Sequence, residues 1–471
     1  NFASVKATDD TTLVIKTKKP QANVPYVSIP ESGIPIVPKH VWTEHVENLN
    51  SYQNDDFPIV GYGPWELVEH ETEQFVRLEA NEDFKLGDHG PPAFDELILN
   101  SFKNTDAAVA ALRSGQIDYV DGLNPTQFES LQSDDGIKAY QAYGDGWSGV
   151  AINDGAETRS GESIGTANPI LADDKVRLAI HHAIDKETLV DKVIAGHGIA
   201  GAGVMPPSYD QWFWQPDDSS LIEFDPDKAN AILDEAGYER GDDGIRVDPK
   251  SGEKLQFRLG THSDEPSDAQ IAQYLQGWLK DVGIAIEVEP MSFSKLNDDL
   301  AKGDWDMLMD GWHTGPDPTY QLSIQTCMAL PTDAKGTAGY TDSFHCYPRY
   351  DELFNKQLTT FDVEERRKVV DEMQRLMYEH NSNIFFYYSN TLGAVRTDAA
   401  TDVISGEADD DGYYPVQTAF WHYLDAKPAE SSDDGSGSAT GWYVAGGAVV
   451  VLAIAGGGFA LRRRSTSDDR E

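Results

Sequence analysis

The stretch from Leu255 to Met309 constrains the fold most, because it alternates between strand-like and helix-like patterns. Short apolar runs predict strands, and amphipathic runs closed by glycine predict helices. The predicted strands are 255–259, 284–288 and 305–309, and the predicted helices between them are 269–282 and 293–301. Consecutive strand–helix–strand crossovers join parallel neighbours in a sheet. The sequence therefore predicts an α/β fold built on a largely parallel sheet.

The last of these strands leads into a segment, Trp305–Cys327, that has the composition of a binding site. Its apolar run ends at Asp310, Gly311 and Trp312, and a turn rich in glycine and proline follows. Loops and helix N-termini converge at the carboxyl ends of parallel strands, where α/β proteins bind ligands. We therefore expect Gly311 and Trp312 to lie at a ligand site just past the strand. The alternative is that Trp312 belongs to the core.

A second candidate segment, GDGWSGVAIND, runs as a strand into a polar loop. Trp147 in this segment either contacts a ligand or packs in the core, and the sequence favours neither. Asn153 near its end is a candidate polar contact.

The charge balance is strongly acidic, with 80 Asp and Glu against 37 Lys and Arg and a net charge of −43. A field of this sign repels nucleic acid and anionic membrane surfaces. The acidic residues are spread along the whole chain, a pattern typical of surfaces adapted to high salt, where screening relieves self-repulsion. We therefore expect a halophilic source.

The C-terminal region has the composition of a membrane anchor. Residues 442–461 carry no charge and are long enough for a bilayer-spanning helix. Arginines at 462–464 predict a cytoplasmic tail of residues 462–471, with the preceding chain outside the membrane. Residues 428–441 are acidic and rich in Gly and Ser, as in a flexible tether. The sequence begins with a strand-like pattern, as if in the middle of a fold. We therefore expect that an N-terminal portion, including a signal peptide, is missing.

The two cysteines, Cys327 and Cys346, either form a disulfide or remain free thiols. An extracellular location permits the bond. No Cys/His array has zinc-like spacing, so the sequence predicts no metal site.

Motifs of catalysis and of nucleotide binding are missing from the sequence. It contains neither a GxSxG nucleophile elbow nor a phosphate-binding loop, neither HExxH nor GxGxxG after a strand. The sequence therefore predicts a protein that is not an enzyme and needs no cofactor. Two α/β segments, a tether and an outward orientation favour capture of a solute near a membrane.

Several segments, in order, resemble the family 5 solute-binding proteins of ABC transporters, the dipeptide/oligopeptide/nickel type. The similar segments are VGYGPWELVEHE, LEANEDF, AALRSGQIDYVDGL, DDKVRLAIHHAIDKETLVDKVIAGHG, FDPDKANAILDEAGY, WDMLMDGW and CYPRYDELFNKQ. The resemblance implies a two-lobed binding-protein fold of class II that holds a peptide between its lobes and delivers it to permease subunits. It assigns 1–20 to the end of an accessory domain, 21–155 to an incomplete first lobe, 156–400 to the second lobe, and 401–427 to the return to the first.

In peptide-binding members, an Asp after the Gly-Trp pair binds the peptide's α-amino group. Asp317 is the candidate for this role here, and the alternative is an Asp that only forms the turn between two prolines. A sibling function, binding of a nickel chelate or an oligosaccharide, remains open, and His313 would serve nickel. Alternatives of other classes are a sensory receptor and an extracellular hydrolase. The resemblance also supports a disulfide between Cys327 and Cys346.

Overall fold

The computed structural model describes residues 2–24, 36–49, 51–417, 420–429 and 449–454. The chain divides into two compact units, which we call unit 1 (residues 1–35 and 144–390) and unit 2 (residues 36–143 and 391–471). Both units combine helices with a sheet.

The secondary structure follows the alternation that the sequence predicts. The strands are β1 Phe2–Ala7, β2 Leu13–Thr17, β3 Trp65–Glu71, β4 Phe75–Ala80, β5 Glu96–Ser101, β6 Tyr119–Val120, β7 Ile137–Ala142, β8 Gly146–Ile152, β9 Gly198–Ala200, β10 Glu239–Arg240, β11 Arg246–Val247, β12 Gln256–His262, β13 Ala285–Met291, β14 Met307–His313, β15 Asn383–Ser389, β16 Thr391–Arg396, β17 Ala400–Thr401, β18 Lys427–Pro428 and β19 Val449–Ile454. The α-helices are α1 Lys39–Trp42, α2 Thr105–Ser114, α3 Pro125–Leu131, α4 Asp174–His182, α5 Lys186–Val193, α6 Pro226–Glu235, α7 Pro266–Asp281, α8 Phe293–Lys302, α9 Thr319–Ile324, α10 Pro348–Thr359, α11 Val363–His380 and α12 Trp421–Leu424.

The main sheet of unit 1 has the strand order β13–β12–β14–β8–β15–β9. Strand β12 pairs in parallel with both β13 and β14, which confirms the predicted crossovers through α7 and α8. Strand β8 lies between β14 and β15 and is antiparallel to both. We call the edge where β12, β13 and β14 end, at His262, Met291 and His313, the carboxyl edge.

Strand β14 differs from its prediction. The expected strand ended at Met309 with the aromatic motif in a turn, but the observed strand continues to His313. The reason is that Asp310 to His313 pair with residues 146–149 of β8, a partner distant in sequence. Gly311 and Trp312 are therefore strand residues at the carboxyl edge.

The two faces of this sheet bury separate apolar clusters. On one face, Met307 and Met309 pack with residues of α4, α5, α6 and α7. Trp147 belongs to a second cluster, built with Trp212 and residues of α10 and α11. Trp312 is partly buried against that second cluster.

The sheet of unit 2 has the order β3–β4–β5–β19–β6–β16–β7. Strand β19 pairs in parallel with β5 and β6. Over Val449–Ile454 the structure thus has a strand between two others in place of the membrane helix predicted for 442–461. The rest of that segment, the tail and most of the tether (430–441) lie outside the described residues. Among the described residues, none of the helices combines the length and apolar character needed to cross a bilayer.

The boundaries between the units lie at 143/144 and 390/391, whereas the sequence placed them at 155/156 and 400/401. The first difference arises because β8 is an inner strand of the unit 1 sheet. The second arises because β16 pairs with β6 and β7 of unit 2. The hairpin of β1 and β2, predicted as the end of an accessory domain, is grouped with unit 1.

Candidate functional site

Trp312 lies half-buried on β14, and its indole is held in one orientation. Its Nε1 donates a hydrogen bond to Oδ2 of Asp342 at 3.0 Å. The ring of Tyr320 meets the indole edge-on, with ring centroids 5.8 Å apart. Tyr320 itself is 57% exposed, so the aromatic pair connects the core to solvent at the carboxyl edge.

Gly311 is exposed and permits a close approach of β14 to β8. A Cβ at this position would lie 2.7 Å from the carbonyl oxygen of Trp147, closer than real Cβ atoms approach other atoms. The tight pairing therefore requires glycine, and it leaves the backbone beside Trp312 uncovered by a side chain.

Trp147 lies directly opposite Trp312 in the β8–β14 register. Its side chain is buried, and its ring centroid lies 4.7 Å from that of Phe385. Its Nε1 has no hydrogen-bond partner in the described part of the chain. The structure therefore places Trp147 in the core beside Trp312, which favours the packing interpretation.

Asn153 lies at the other end of β8, away from the remaining candidates. Its Nδ2 donates to the carbonyl oxygen of Trp305 at 3.1 Å, and its Oδ1 accepts from the backbone N–H of Gly155 at 3.2 Å. The side chain is fully buried. Asn153 therefore fixes the chain after β8, and the structure does not bring it to the carboxyl edge.

Asp317 is engaged within the protein. Its Oδ2 lies 2.7 Å from Nη1 of Arg366, and both side chains are buried. Its Oδ1 accepts from the backbone N–H of Thr319 at 2.9 Å. These contacts favour a structural role for Asp317 over pairing with a ligand's ammonium group.

His313 is the most exposed of the predicted site residues, with 88% of its side chain accessible. Its Nδ1 lies 2.7 Å from Oδ1 of Asp145. Within the described ranges, no group of three or more His, Cys, Asp and Glu side chains is arranged to hold a metal ion.

Two acids that sequence reasoning did not select, Asp310 and Asp342, lie beside Trp312. Asp310 accepts hydrogen bonds from the backbone of Gly311 at 2.9 Å and from Nδ2 of Asn383 at 3.2 Å. Burial raises the pKa of Asp310 above its usual range. The pKa of Asp342 is also raised well above its usual range, first by burial and then by the negative charge of Asp310. The site thus holds two carboxyl groups that resist simultaneous ionisation.

A histidine borders the acids on the next strand. His262, the last residue of β12, is held by Asp268. Oδ2 of Asp268 lies 2.8 Å from both the backbone nitrogen and Nδ1 of His262. This carboxylate raises the pKa of His262, and the positive charge of His262 in turn favours the ionised form of Asp310. Phe293, 54% exposed, stacks on His262 with ring centroids 6.0 Å apart.

One signal in the sequence could have indicated Asp310: a charged residue within an otherwise apolar strand. No comparable signal marks Asp342, because it lies in an irregular segment thirty residues after Trp312. Cys346 near that segment is joined to Cys327 by a disulfide.

Comparison with known proteins identifies relatives over most of the chain. The family model for bacterial extracellular solute-binding proteins, family 5 Middle, matches residues 1–327. The oligopeptide-binding protein AppA of Bacillus subtilis is 24% identical over 359 residues, which are 75% of this chain and 61% of the relative. The dipeptide-binding protein of Escherichia coli is 21% identical over 406 residues, 86% of this chain and 69% of the relative. The chain thus spans about three fifths of the length of the first curated relatives it matches.

Solved structures share the two-lobed α/β architecture. NikZ from Campylobacter jejuni, solved with Ni(L-His), superposes with a TM-score of 0.71 at 21% identity, covering 90% of this chain and 78% of that one. AppA from Bacillus subtilis, solved with a nonapeptide, superposes with a TM-score of 0.69 at 21% identity, covering 91% and 78%. With the family model spanning well over half of the residues, the chain belongs to family 5 of the extracellular solute-binding proteins.

Proposed function

We propose that this protein binds peptides at the carboxyl edge of unit 1, as the solute-binding component of an ABC importer. The observation that carries the proposal is the arrangement of Trp312, whose indole is bonded to Asp342 beside the second acid, Asp310. Related proteins named for oligopeptide and dipeptide binding support the choice of ligand.

The acids give the site a preference for a cation. Two neighbouring carboxyl groups repel each other when both are ionised, and an ammonium group placed between them removes that repulsion. The faces of Trp312 and Tyr320 add a favourable surface for a cation or an apolar side chain. We therefore assign the peptide's amino end to Asp310 and Asp342 in place of Asp317, which is bound to Arg366.

Calorimetry on the purified protein tests the proposal. The ligands are a panel of alanine- and glycine-based peptides of two to nine residues, each with a free or an acetylated amino terminus. We expect binding of the free-amine peptides and at least tenfold weaker binding by Trp312→Ala, with the fold intact. Trp278→Ala is the matched control, because Trp278 is also half-buried in unit 1 but stacks on Tyr274 of α7. Equal affinities of Trp312→Ala and the unmodified protein would return Trp312 to the core.

A nickel chelate is the second candidate ligand. The exposed His313 favours it, and a related structure was solved with Ni(L-His). The same calorimetry with Ni(L-His) separates the two ligands: His313→Gln should abolish chelate binding and leave peptide binding unchanged.

Mass spectrometry of solute released from gently purified full-length protein identifies the natural ligand directly. Absence of turnover when the peptides are incubated with the protein excludes the hydrolase alternative.

We also propose that the protein is displayed outside the cell membrane and delivers its solute to permease subunits there. The uncharged run at 442–461, followed by three arginines, supports an anchor. Pairing of Val449–Ile454 within the unit 2 sheet is the competing arrangement. Membrane fractionation separates them: an anchored chain stays with membranes after a high-salt wash, and a chain ending at residue 429 is released.

The net charge of −43 supports a further proposal, that the protein works in high salt. Ions at such concentrations shorten the range over which surface carboxylates repel one another.

A further inference from the structure

The turn that follows Trp312 is held by side chains of two other segments, the loop 205–214 and helix α11. Tyr209 donates its hydroxyl to the carbonyl oxygen of Thr314 at 2.9 Å. Trp212 donates its indole N–H to the carbonyl oxygen of Pro316 at 2.9 Å. Both donors belong to the aromatic loop 205–214, which therefore fixes the backbone of the turn.

Arg366 of α11 holds the end of the same turn. Its Nη1 donates to Oδ2 of Asp317 at 2.7 Å, and its Nη2 donates to Oγ1 of Thr319 at 3.0 Å. Its Nε and Nη2 also donate to Oε1 of Gln357, at 3.0 and 2.8 Å. The guanidinium lies over the ring of Trp212, 4.9 Å from its centroid. A planar group with several fixed donors is suited to such simultaneous contacts, and a lysine ammonium is not.

This network connects to the proposed site through one peptide bond. Thr319, which Arg366 holds, is the first residue of α9, and Tyr320 is the second. Tyr320 contacts the indole of Trp312 edge-on. The position of Arg366 therefore sets where the exposed Tyr320 ring lies against Trp312.

We infer that Arg366 is a positioning residue for solute binding, which orients Trp312 and Tyr320 through Asp317 and Thr319 without touching the solute. The inference rests on the peptide-binding function proposed above. Burying an ion pair costs desolvation energy that an apolar pair would avoid, so buried pairs are weak stabilisers. Here the pair supplies a defined geometry for a turn that is otherwise rich in glycine and proline.

A second buried arginine provides a matched control. Arg246 is 1% exposed, lies in unit 1, contacts Asp234 and donates to the carbonyl oxygen of Val282. It has no contact with the turn or with α9 among the hydrogen bonds of the described residues. Arg366→Lys and Arg246→Lys thus both remove a buried guanidinium, but only the first loosens the turn.

The test uses full-length protein labelled with 5-fluorotryptophan, and the Trp312 fluorine resonance is assigned from Trp312→Phe. Both measurements are made well below the melting temperature of the variant. We expect Arg366→Lys to shift or broaden that resonance and to weaken binding of the peptide with the highest affinity in the panel at least fivefold. Arg246→Lys should lower the melting temperature similarly while leaving the resonance and the affinity unchanged.

Two results would overturn the inference: an unchanged Trp312 resonance in Arg366→Lys, or equal loss of affinity in the two lysine variants. Failure of the proposed function is a separate result, namely that the unmodified protein binds no peptide of the panel. In that case the fluorine resonance alone decides whether Arg366 positions Trp312.

Discussion

The indole nitrogen of Trp312 lies 3.0 Å from the carboxylate of Asp342, a residue thirty positions further along the chain. This bond joins the end of β14 to an irregular segment before α10. It couples the orientation of the aromatic ring to a carboxyl group whose ionisation is opposed by burial and by Asp310. The relationship makes specific predictions about charge.

Substitution Asp342→Asn removes the charge and keeps an oxygen that accepts the Trp312 N–H. The pKa of Asp342 is raised in the folded protein, so ionisation of this group favours the unfolded state. The penalty is full above the folded pKa, shrinks as the pH falls below it, and vanishes only below the ordinary value of 3.8. We therefore expect Asp342→Asn to melt at an equal or higher temperature at pH 7.5, while binding free-amine peptides at least tenfold more weakly. Calorimetry and thermal melts measure both effects.

The exposed Asp218 supplies the control for this experiment. Asp218→Asn changes the net charge equally and should alter neither quantity. Retention of full affinity by Asp342→Asn would contradict the assignment of the amino end to this acid.

Acid should destabilise unit 1 through the buried His345 and the partly buried His380. Burial lowers the pKa of His345 to about 4 and that of His380 to about 3, with the charge of Arg177 contributing to both. An unfolded histidine titrates near about 6.5, so below that pH the unfolded state binds more protons and stability falls as the pH drops toward the folded values. Asp154, with its pKa raised to about 6 by burial, opposes this trend as it takes up a proton.

His181 and His182, whose pKa values burial also lowers, act with these two histidines, and Asp310 and Asp342, whose pKa values burial raises, act with Asp154. We expect the histidines to outweigh the acids, so the melting temperature should decline between pH 6.5 and pH 4.5. His345→Gln keeps a donor for the carbonyl oxygen of Gln325 and should flatten that decline. His70→Gln, at an exposed position of β3 in unit 2, is the control and should not change it. A melting temperature that rises on acidification through this range would show that the buried acids dominate and would contradict the prediction.

Salt should stabilise the protein because its net charge is −43. Raising NaCl from 0.1 to 1 M shortens the Debye length from about 10 Å to about 3 Å. We expect the melting temperature to rise by roughly 5–10 °C, since self-repulsion of the folded state is screened. Sucrose at equal osmolality separates screening from a general solute effect; an identical rise in sucrose would remove the electrostatic explanation.

The disulfide between Cys327 and Cys346 should contribute to stability and also to binding. It closes a loop with a sequence separation of 19 residues, for which chain entropy predicts about 3 kcal/mol. Cys327→Ser with Cys346→Ser should lower the free energy of unfolding by about that amount in denaturant titrations. Because the loop contains Asp342, peptide affinity should fall as well, and dithiothreitol should reproduce both losses in the unmodified protein alone.

Local patterns in the sequence predict much of this fold. Helices α7 and α8, predicted at 269–282 and 293–301, lie within three residues of the observed bounds, because each carries a clear periodicity and is followed by a glycine. The extension of β14 to His313 was not predictable, because it depends on pairing with β8, far away in the sequence. The ion pair of Asp317 was not predictable for the same reason, since its partner Arg366 lies on a helix that no local pattern associates with the turn.

Strand β8 also has a consequence for how unit 1 reaches its native state. Ile152 pairs with Met307 on one side, and Val150 pairs with Ile384 on the other. Because β8 is synthesised well before β14 and β15, the backbone hydrogen-bonding groups on both of its edges have no partners until those strands have been made. Loop-closure entropy makes such pairings slow to form, and exposed strand edges invite association with other chains. We expect refolding of unit 1 to be limited by the docking of β8 and its yield to fall with rising protein concentration.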